Sequence, residues 1–177
     1  MEKSIPSRQI AGFLITSVLG TFLHFLFDLT AGSAAAALIS AVNESIFEHM
    51  KLIFYPMLLV SLLQYRKFGK NTVNFWCVKL AGISVALALI PSIYYIYTGI
   101  LGVSASWFNV TIFFIAAAAA FWAETKLFQK GFSCRIPESL AFALILLTGM
   151  VFTAFTFCPP RIPLFRDPLT GTYGFQS

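Results

Sequence analysis

Residues 42–51, Val42-Asn43-Glu44-Ser45-Ile46-Phe47-Glu48-His49-Met50-Lys51, place four ionisable side chains inside an otherwise apolar run. That run covers about residues 34–65 and is longer than the roughly 20 residues that cross a bilayer as a helix. Ionisable side chains at membrane depth are costly, so they face the protein interior rather than lipid and mark functional sites. The stretch therefore predicts a membrane helix that carries a site.

The composition supports a membrane protein. Of the 177 residues, 58% are hydrophobic and 11% are charged, against about a quarter charged in soluble domains. The net charge is +5, but Lys and Arg stand in short clusters between apolar runs, which is the arrangement that encodes membrane topology. We therefore exclude a soluble globular protein and expect a lipid bilayer, not nucleic acid, as the partner.

Five apolar runs are long enough to span a membrane, at about residues 10–30, 38–64, 73–98, 107–128 and 137–157. The predicted fold is an all-α transmembrane bundle of five helices within residues 1–158. The second span is expected to begin outside the bilayer, to tilt, or to break near Asn43. Basic clusters lie at the N-terminus, at residues 66–70 and at residues 126–135, so all three face the cytoplasm and the C-terminal tail lies outside.

The N-terminal apolar run imitates a secretory signal peptide. We expect it to be retained as the first span, because it is about 20 residues long and carries His24 and Asp28 near its end. Elsewhere, Lys79 is expected to reach the cytoplasmic interface with its long side chain, and Glu124 is expected to be interfacial. The three cysteines have no metal-finger or CxxC spacing and predict no disulfide framework.

Two polar stripes follow from the helical period of about 100° per residue. The first span carries one stripe about 60° wide, formed by Ser17, Thr21, His24 and Asp28. The second span carries another, formed by Glu44, Glu48, Lys51 and Tyr55, with Ser45 and His49 on its flank. Because the two spans form a hairpin, we expect the stripes to meet in the outer half of the membrane as one acid and histidine site.

Imidazole and carboxylate groups are acceptable ligands of zinc, manganese or iron, and a bound metal could activate water for hydrolysis of a lipid-borne bond. The predicted metal ligands are His24, Asp28 and Glu48. The predicted catalytic groups are Glu44, Glu48 and His49. The predicted ligand-binding groups are Asn43, Ser45, Lys51 and Tyr55, together with Arg161 and Arg166 of the tail. The cofactor is not identified beyond a candidate divalent metal, and the ligand is either a lipid or a small polar molecule.

Three other interpretations of the same residues stay open. The first is a structural network in which Lys51 and a tail arginine neutralise the acids. The second is a transporter or proton-coupled permease component, although the cytoplasmic half of the first two spans offers little beyond Thr16, Ser17 and Gln64. The third is a membrane partner subunit without catalysis.

The tail, residues 159–177, differs from the rest of the chain because it holds four of the eight prolines and cannot be helical. Residues 167–171 are typical of a turn. We expect Arg161 and Arg166 to pair with Asp28 or Glu44, so that residues 159–173 form a lid over the site. The alternative is an unstructured tail.

Two motifs carry a family resemblance: residues 42–51, followed by Pro56, and residues 160–171, with their PRIPLF, Asp-Pro and Thr-Gly elements. On these residues the chain resembles an uncharacterised family of small multi-pass membrane proteins from Firmicutes-type bacteria. The resemblance implies a bacterial cytoplasmic membrane. It implies no activity and no known site residues.

Overall fold

The computed structural model describes residues 4–176, and its long regular elements in that range are all helices. The helices are α1 (Ser4–Leu29), α2 (Ala34–Ala37), α3 (Ile46–Lys67), α4 (Phe75–Leu101), α5 (Ser106–Gln129) and α6 (Glu138–Phe157). Short 3₁₀ turns lie at Gly69–Asn71 and Pro163–Phe165. Five of the helices, α1 and α3 to α6, are long and apolar enough to cross a membrane. The prediction of an all-α bundle with five spans is therefore confirmed.

The helices form an antiparallel bundle in which α1 packs on α3 and α5, while α4 packs on α3, α5 and α6. Small side chains let α5 approach its neighbours, because Ala116, Ala117 and Ala120 are fully buried. Because consecutive long helices run in opposite directions, the connections between them lie at two ends of the bundle. We call the end with residues 66–70 and 126–135 the basic end, and the end with residues 38–45 and the C-terminal tail the tail end. Lys3 of the predicted N-terminal cluster lies outside the described residues.

The second predicted span is divided. Instead of one helix from about residue 38, the chain forms the single turn α2, an irregular segment at residues 38–45, and then α3. Ser45 has extended backbone angles and its hydroxyl accepts the Glu48 amide at 3.3 Å, so it is the N-cap of α3. The Asn43 side-chain oxygen accepts the Ser45 amide at 2.9 Å and fixes the turn that precedes the cap.

Pro56 lies inside α3 and helps α1 to approach it. Proline has no amide hydrogen, so the Leu52 carbonyl, four residues earlier, has no helical partner. Gly20 of α1 lies against that carbonyl, and a Cβ atom there would be 2.6 Å from the Leu52 oxygen and 2.5 Å from the Phe113 ring. Only glycine therefore allows α1 to approach so closely beside the carbonyl that Pro56 leaves free.

The tail folds back onto the tail end of the bundle. Phe165 is 5% exposed and its ring centroid lies 4.3 Å from that of Phe47. The Phe175 amide donates to the Thr156 carbonyl at 2.8 Å, and the Asn43 side-chain amide donates to the Gly174 carbonyl at 3.2 Å. The tail is ordered by packing and backbone hydrogen bonds.

The predicted turn at residues 167–171 is present. The Asp167 carboxylate accepts the Leu169 amide at 2.8 Å, and Gly171 has a φ of 74°. The predicted arginine pairing is wrong for the described chain: Arg161 and Arg166 are exposed, and within residues 4–176 neither one forms an ion pair with Asp28 or Glu44. The tail bends away through its 3₁₀ turn, which leaves both guanidinium groups on the outer surface.

The prediction that the cysteines form no disulfide is also wrong. Cys77, in the first turn of α4, is bonded to Cys134 in the α5–α6 connection, with the two Cα atoms 6.2 Å apart. The two positions are separated by 57 residues in sequence but share the basic end, because α4 begins and α5 ends there. Cys158 is free and exposed at the tail end.

Candidate metal site and buried ion pairs

Two histidines and one glutamate meet at the tail end. His49 Nε2 lies 3.4 Å from one carboxylate oxygen of Glu44, and His24 Nε2 lies 4.0 Å from the other. One ligand atom from each of the three side chains lies within 4.8 Å of those of the other two. We call His24, Glu44 and His49 the histidine cluster.

The three side chains of the cluster come from three separate segments of the chain. His24 lies on α1, Glu44 lies in the irregular segment just before the Ser45 cap, and His49 lies in the first turn of α3. The His49 Nδ1 atom is 2.9 Å from the Ser45 carbonyl. A carbonyl oxygen can only accept, so Nδ1 carries the hydrogen, and the lone pair of neutral His49 is at Nε2, on the side of Glu44.

This arrangement fits a metal ion. Two atoms each about 2.0–2.1 Å from a tetrahedral zinc ion are roughly 3.4 Å apart. The His49–Glu44 separation of 3.4 Å matches that value, and the His24–Glu44 separation of 4.0 Å requires a closure of about half an ångström. Metal-binding histidines commonly donate their second N–H to a backbone carbonyl, as His49 does.

A cavity of about 320 Å³ borders the histidine cluster. Its walls come from α1, α3, α4 and α5, and they are mostly apolar. Phe25 of α1 and Val110 of α5 line it and are more than half exposed on surfaces that face lipid in a membrane bundle. Exposed side chains of both α1 and α5 therefore border the cavity. Its opposite wall carries Asn109, whose Oδ1 atom accepts a hydrogen bond from the Tyr97 hydroxyl.

Glu48 and Lys51 lie apart from the cluster in a closed network. Lys51 Nζ is 2.6 Å from Glu48 Oε2 and donates to the Ala37 carbonyl and the Thr156 hydroxyl, both at 2.8 Å. Glu48 also accepts the Val42 amide at 3.1 Å. Both charged side chains are at most 1% exposed. Each polar atom has a partner, so this network, which we call the tail-end pair, fixes the irregular segment between α2 and α3.

The structure thus divides the predicted single site. His24, Glu44 and His49 come together, whereas Glu48 and Lys51 form the tail-end pair and Asp28 is exposed outside the cluster. Tyr55 also lies elsewhere, since its hydroxyl bonds the Gly149 carbonyl and Thr153 of α6, each at 3.2 Å. Asn43 and Ser45 serve the turn and the N-cap. The predicted stripe on the second span was wrong for Glu44, because this residue precedes α3 instead of lying on it.

A second buried ion pair lies nearer the basic end. Lys79 Nζ is 2.5 Å from Glu124 Oε2, and both side chains are fully buried. The expected interfacial positions of Lys79 and Glu124 are therefore wrong: both side chains point between α4 and α5, where each neutralises the other. Gly82 makes the space, because a Cβ atom there would be 2.5 Å from the Glu124 carboxylate. We call this the basic-end pair.

Two glutamines extend the basic-end pair toward α1 and α3. The Gln64 amide donates to the Arg8 carbonyl at 3.1 Å and to the Gln9 side-chain oxygen at 3.4 Å. Gln9 also faces the Glu124 carboxylate. In contrast to the tail-end pair, three buried polar atoms here close no hydrogen bond within the described residues: Gln9 Nε2, Gln64 Oε1 and Glu124 Oε1. Gln9 was not among the polar residues that the sequence pattern predicted to be buried.

The five apolar helices, with charged groups buried between them, define a multi-pass membrane protein. Residues 3–175 match a family of unknown function (DUF6512), and the chain belongs to this family. The resemblance to an uncharacterised family is thereby confirmed. A comparison with curated proteins and a comparison with solved structures each found no match.

Proposed function

We propose that this protein binds a divalent metal ion through His24, Glu44 and His49 and hydrolyses a bond in a lipid. The observation that carries the proposal is the orientation of His49: its Nδ1 hydrogen is held by the Ser45 carbonyl, and its Nε2 atom is directed at Glu44. Two histidines and one glutamate with an open position are a ligand set found in catalytic zinc sites. A metal held there would supply an activated water molecule.

The shape of the neighbouring cavity supports a lipid as the substrate. A cavity of about 320 Å³ is within the range of small-molecule sites, and the exposed side chains of α1 and α5 that border it would face the bilayer in a membrane bundle. The apolar walls suit an acyl chain, and the histidine cluster lies at the polar end, where a headgroup would be. Among the described cavity-lining residues Glu44 is the one carboxylate, so it is the candidate proton acceptor as well as a ligand.

We further propose a bacterial cytoplasmic membrane with the basic end inside. Support comes from the distribution of Lys and Arg, since Arg66, Lys67, Lys70, Lys126 and Lys130 all lie at that end. The histidine cluster and the tail would then face outward.

A proton-coupled transporter is the second candidate, because one specific observation favours it. The cytoplasmic half of the first two spans was expected to offer little beyond Thr16, Ser17 and Gln64, but Gln9 is buried there as well, and the buried basic-end pair lies beside it. Buried ionisable groups in membrane bundles commonly belong to proton or ion pathways. This candidate predicts no requirement for a metal.

Metal analysis of purified protein tests the proposal. After separate incubation with Zn²⁺, Mn²⁺ or Fe²⁺ and removal of free metal, we expect the wild type to retain one ion per chain. Metal affinity should fall by more than about tenfold in each of the variants His24→Ala, Glu44→Ala and His49→Ala. Loss of an outer-shell partner of a ligand already lowers metal affinity by about tenfold or more, and loss of the ligand itself should cost at least as much. Asp28→Asn is the matched control, since Asp28 lies one turn from His24 but outside the cluster, and it should bind normally.

Two results would contradict the metal site: a wild type that retains none of the three metals, or an Asp28→Asn variant that binds as weakly as His24→Ala. The hydrolytic part is tested separately. Metal-loaded protein in phospholipid vesicles should release fatty acid or headgroup, measured by mass spectrometry, and His49→Ala should not. If the protein binds metal but releases no lipid product, the metal site stands and the proposed hydrolysis is refuted.

A further inference from the structure

The Cys77–Cys134 disulfide lies at the end of the bundle that carries the basic loops. It joins the first turn of α4 to the connection between α5 and α6. The third cysteine, Cys158, is free and lies at the opposite end. The two cysteines that share an end are therefore the two that are bonded.

A permanent structural disulfide is not expected at this end of the bundle. The basic clusters assign this end to the cytoplasm, where thiols are kept reduced and where disulfides of ordinary proteins are transient, catalytic or redox-sensing. We propose that Cys77 and Cys134 form a reversible thiol–disulfide site that exchanges with a cytoplasmic dithiol. This proposal rests on the disulfide and the charge distribution and is independent of the metal site.

The exposure of the two sulfurs determines where exchange begins. Cys77 is 4% exposed inside the helical bundle, whereas Cys134 is half-buried in the short connection between α5 and α6. A thiolate of the incoming dithiol therefore attacks the Cys134 sulfur. The Cys77–Cys134 bond breaks, a mixed disulfide forms at Cys134, and Cys77 leaves as a thiolate and takes up a proton.

The second thiol of the partner then attacks the mixed disulfide. Cys134 leaves as a thiolate and is protonated, and the partner is released as a disulfide. In total, two electrons and two protons pass from the partner dithiol to the cysteine pair. Oxidation by a disulfide of the same class reverses both steps.

Opening the bond frees the α5–α6 connection locally without dismantling the bundle. In the bonded state Asn74 also donates to the Phe132 carbonyl at 2.7 Å, and the Trp76 amide donates to Glu138 at 3.0 Å, so contacts other than the disulfide hold these two segments together. Asn74, Trp76 and Glu138 also line a cavity of about 480 Å³ at this end.

Counting free thiols in cells tests this proposal. The protein carries Cys158→Ser, so that only Cys77 and Cys134 report, and cells are quenched in acid before denaturation and alkylation with a maleimide. By intact mass, we expect two alkylated thiols in untreated cells, none after treatment with the thiol oxidant diamide, and two again after dithiothreitol. With Cys77→Ser added, Cys134 should be alkylated in untreated cells and after dithiothreitol, and after diamide it should be either alkylated or bound to glutathione, which intact mass distinguishes from the loss of two hydrogens in the Cys77–Cys134 disulfide.

The proposal is overturned if the pair stays bonded in untreated cells and after dithiothreitol, which would make it a static disulfide. It is equally overturned if both thiols stay free under oxidant. Sidedness is checked with a membrane-impermeant maleimide on intact cells. The wild-type protein should be labelled at Cys158, and Cys134 in the Cys77→Ser variant should not. Labelling of Cys134 from outside would place the basic end in an oxidising compartment and remove the reason for exchange.

Discussion

The tail-end pair and the basic-end pair are both Lys–Glu contacts with almost no exposed surface, yet they are embedded differently. At the tail end, Lys51 and Glu48 bond each other and also Thr156, the Ala37 carbonyl and the Val42 amide. At the basic end, Lys79 bonds only Glu124 among the described residues. Lys79 is otherwise surrounded by phenyl rings, whose centroids lie 5.6–5.8 Å from its Nζ atom.

The difference assigns different roles to the two pairs. The tail-end pair satisfies backbone groups of the irregular segment and so holds that segment, with Glu44 in it, against α3 and α6. The basic-end pair binds no backbone group among the described residues, and Glu124 Oε1 faces Gln9 without closing a hydrogen bond of ordinary geometry. Replacing a buried ion pair by apolar residues is often neutral, unless other groups depend on its charges. The two pairs should therefore respond oppositely to removal of both charges.

Removal of Lys51 alone should be strongly destabilising. Lys51→Met leaves the Glu48 carboxylate buried without its cation and leaves the Ala37 carbonyl without its donor. The expected loss is about 3–5 kcal/mol in the free energy of unfolding. Denaturant titration of the protein in detergent measures it. Lys67→Met, at the exposed end of the same helix, is the control and should change stability by less than about 0.5 kcal/mol. A Lys51→Met protein as stable as this control would mean that the tail-end pair does not hold the segment.

A smaller loss should follow when the hydroxyl shared by the pair is removed. Thr156 Oγ1 accepts a hydrogen bond from Lys51 at 2.8 Å and lies 2.9 Å from Glu48 Oε1. In Thr156→Val, Lys51 and Glu48 each lose one hydrogen-bond partner while remaining buried. We expect a loss of roughly 1–3 kcal/mol. Thr148→Val is matched to it, since Thr148 is on the same helix and makes the same bond to the carbonyl four residues earlier, but it is only half-buried. Equal losses in the two variants would contradict the network.

The five spans were predictable because a membrane helix is recognised from the mean hydropathy of about 20 residues, which a single polar residue changes little. The turn after Asp167 was predictable because Asp, Pro and Gly act locally on the backbone. The partners of the buried charged side chains could not be predicted from the sequence. Lys79 and Glu124 are 45 residues apart on helices that are apolar nearly all round, so the sequence does not show which faces meet.

The composition of the histidine cluster was missed for a different reason. The stripes assumed one helix through residues 38–64, which places Glu44 and Glu48 on the same face. The pattern Ser45-x-x-Glu48 ahead of an apolar run is typical of a helix N-terminus. With α3 beginning after Ser45, Glu44 leaves the helix and joins His24 and His49, while Glu48 stays on the helix and faces Lys51. A local capping signal was thus present, but the distance between Glu44 and His24 depends on packing of α1 against α3.

The smallest effect is expected when both charges of the basic-end pair are removed. In Lys79→Met with Glu124→Met, the unbranched side chains occupy similar space beside Gly82, and no backbone group loses a partner. Each single variant should lose about 3–5 kcal/mol, whereas the double variant should lie within about 1 kcal/mol of the wild type or above it. Lys51→Met with Glu48→Met is the comparison, and it should stay well below the wild type because Val42, Ala37 and Thr156 remain without partners. If the basic-end double variant is as unstable as the tail-end one, then Gln9 and Gln64 depend on Glu124 as closely as Val42 and Thr156 depend on Glu48, and the contrast between the two pairs is lost.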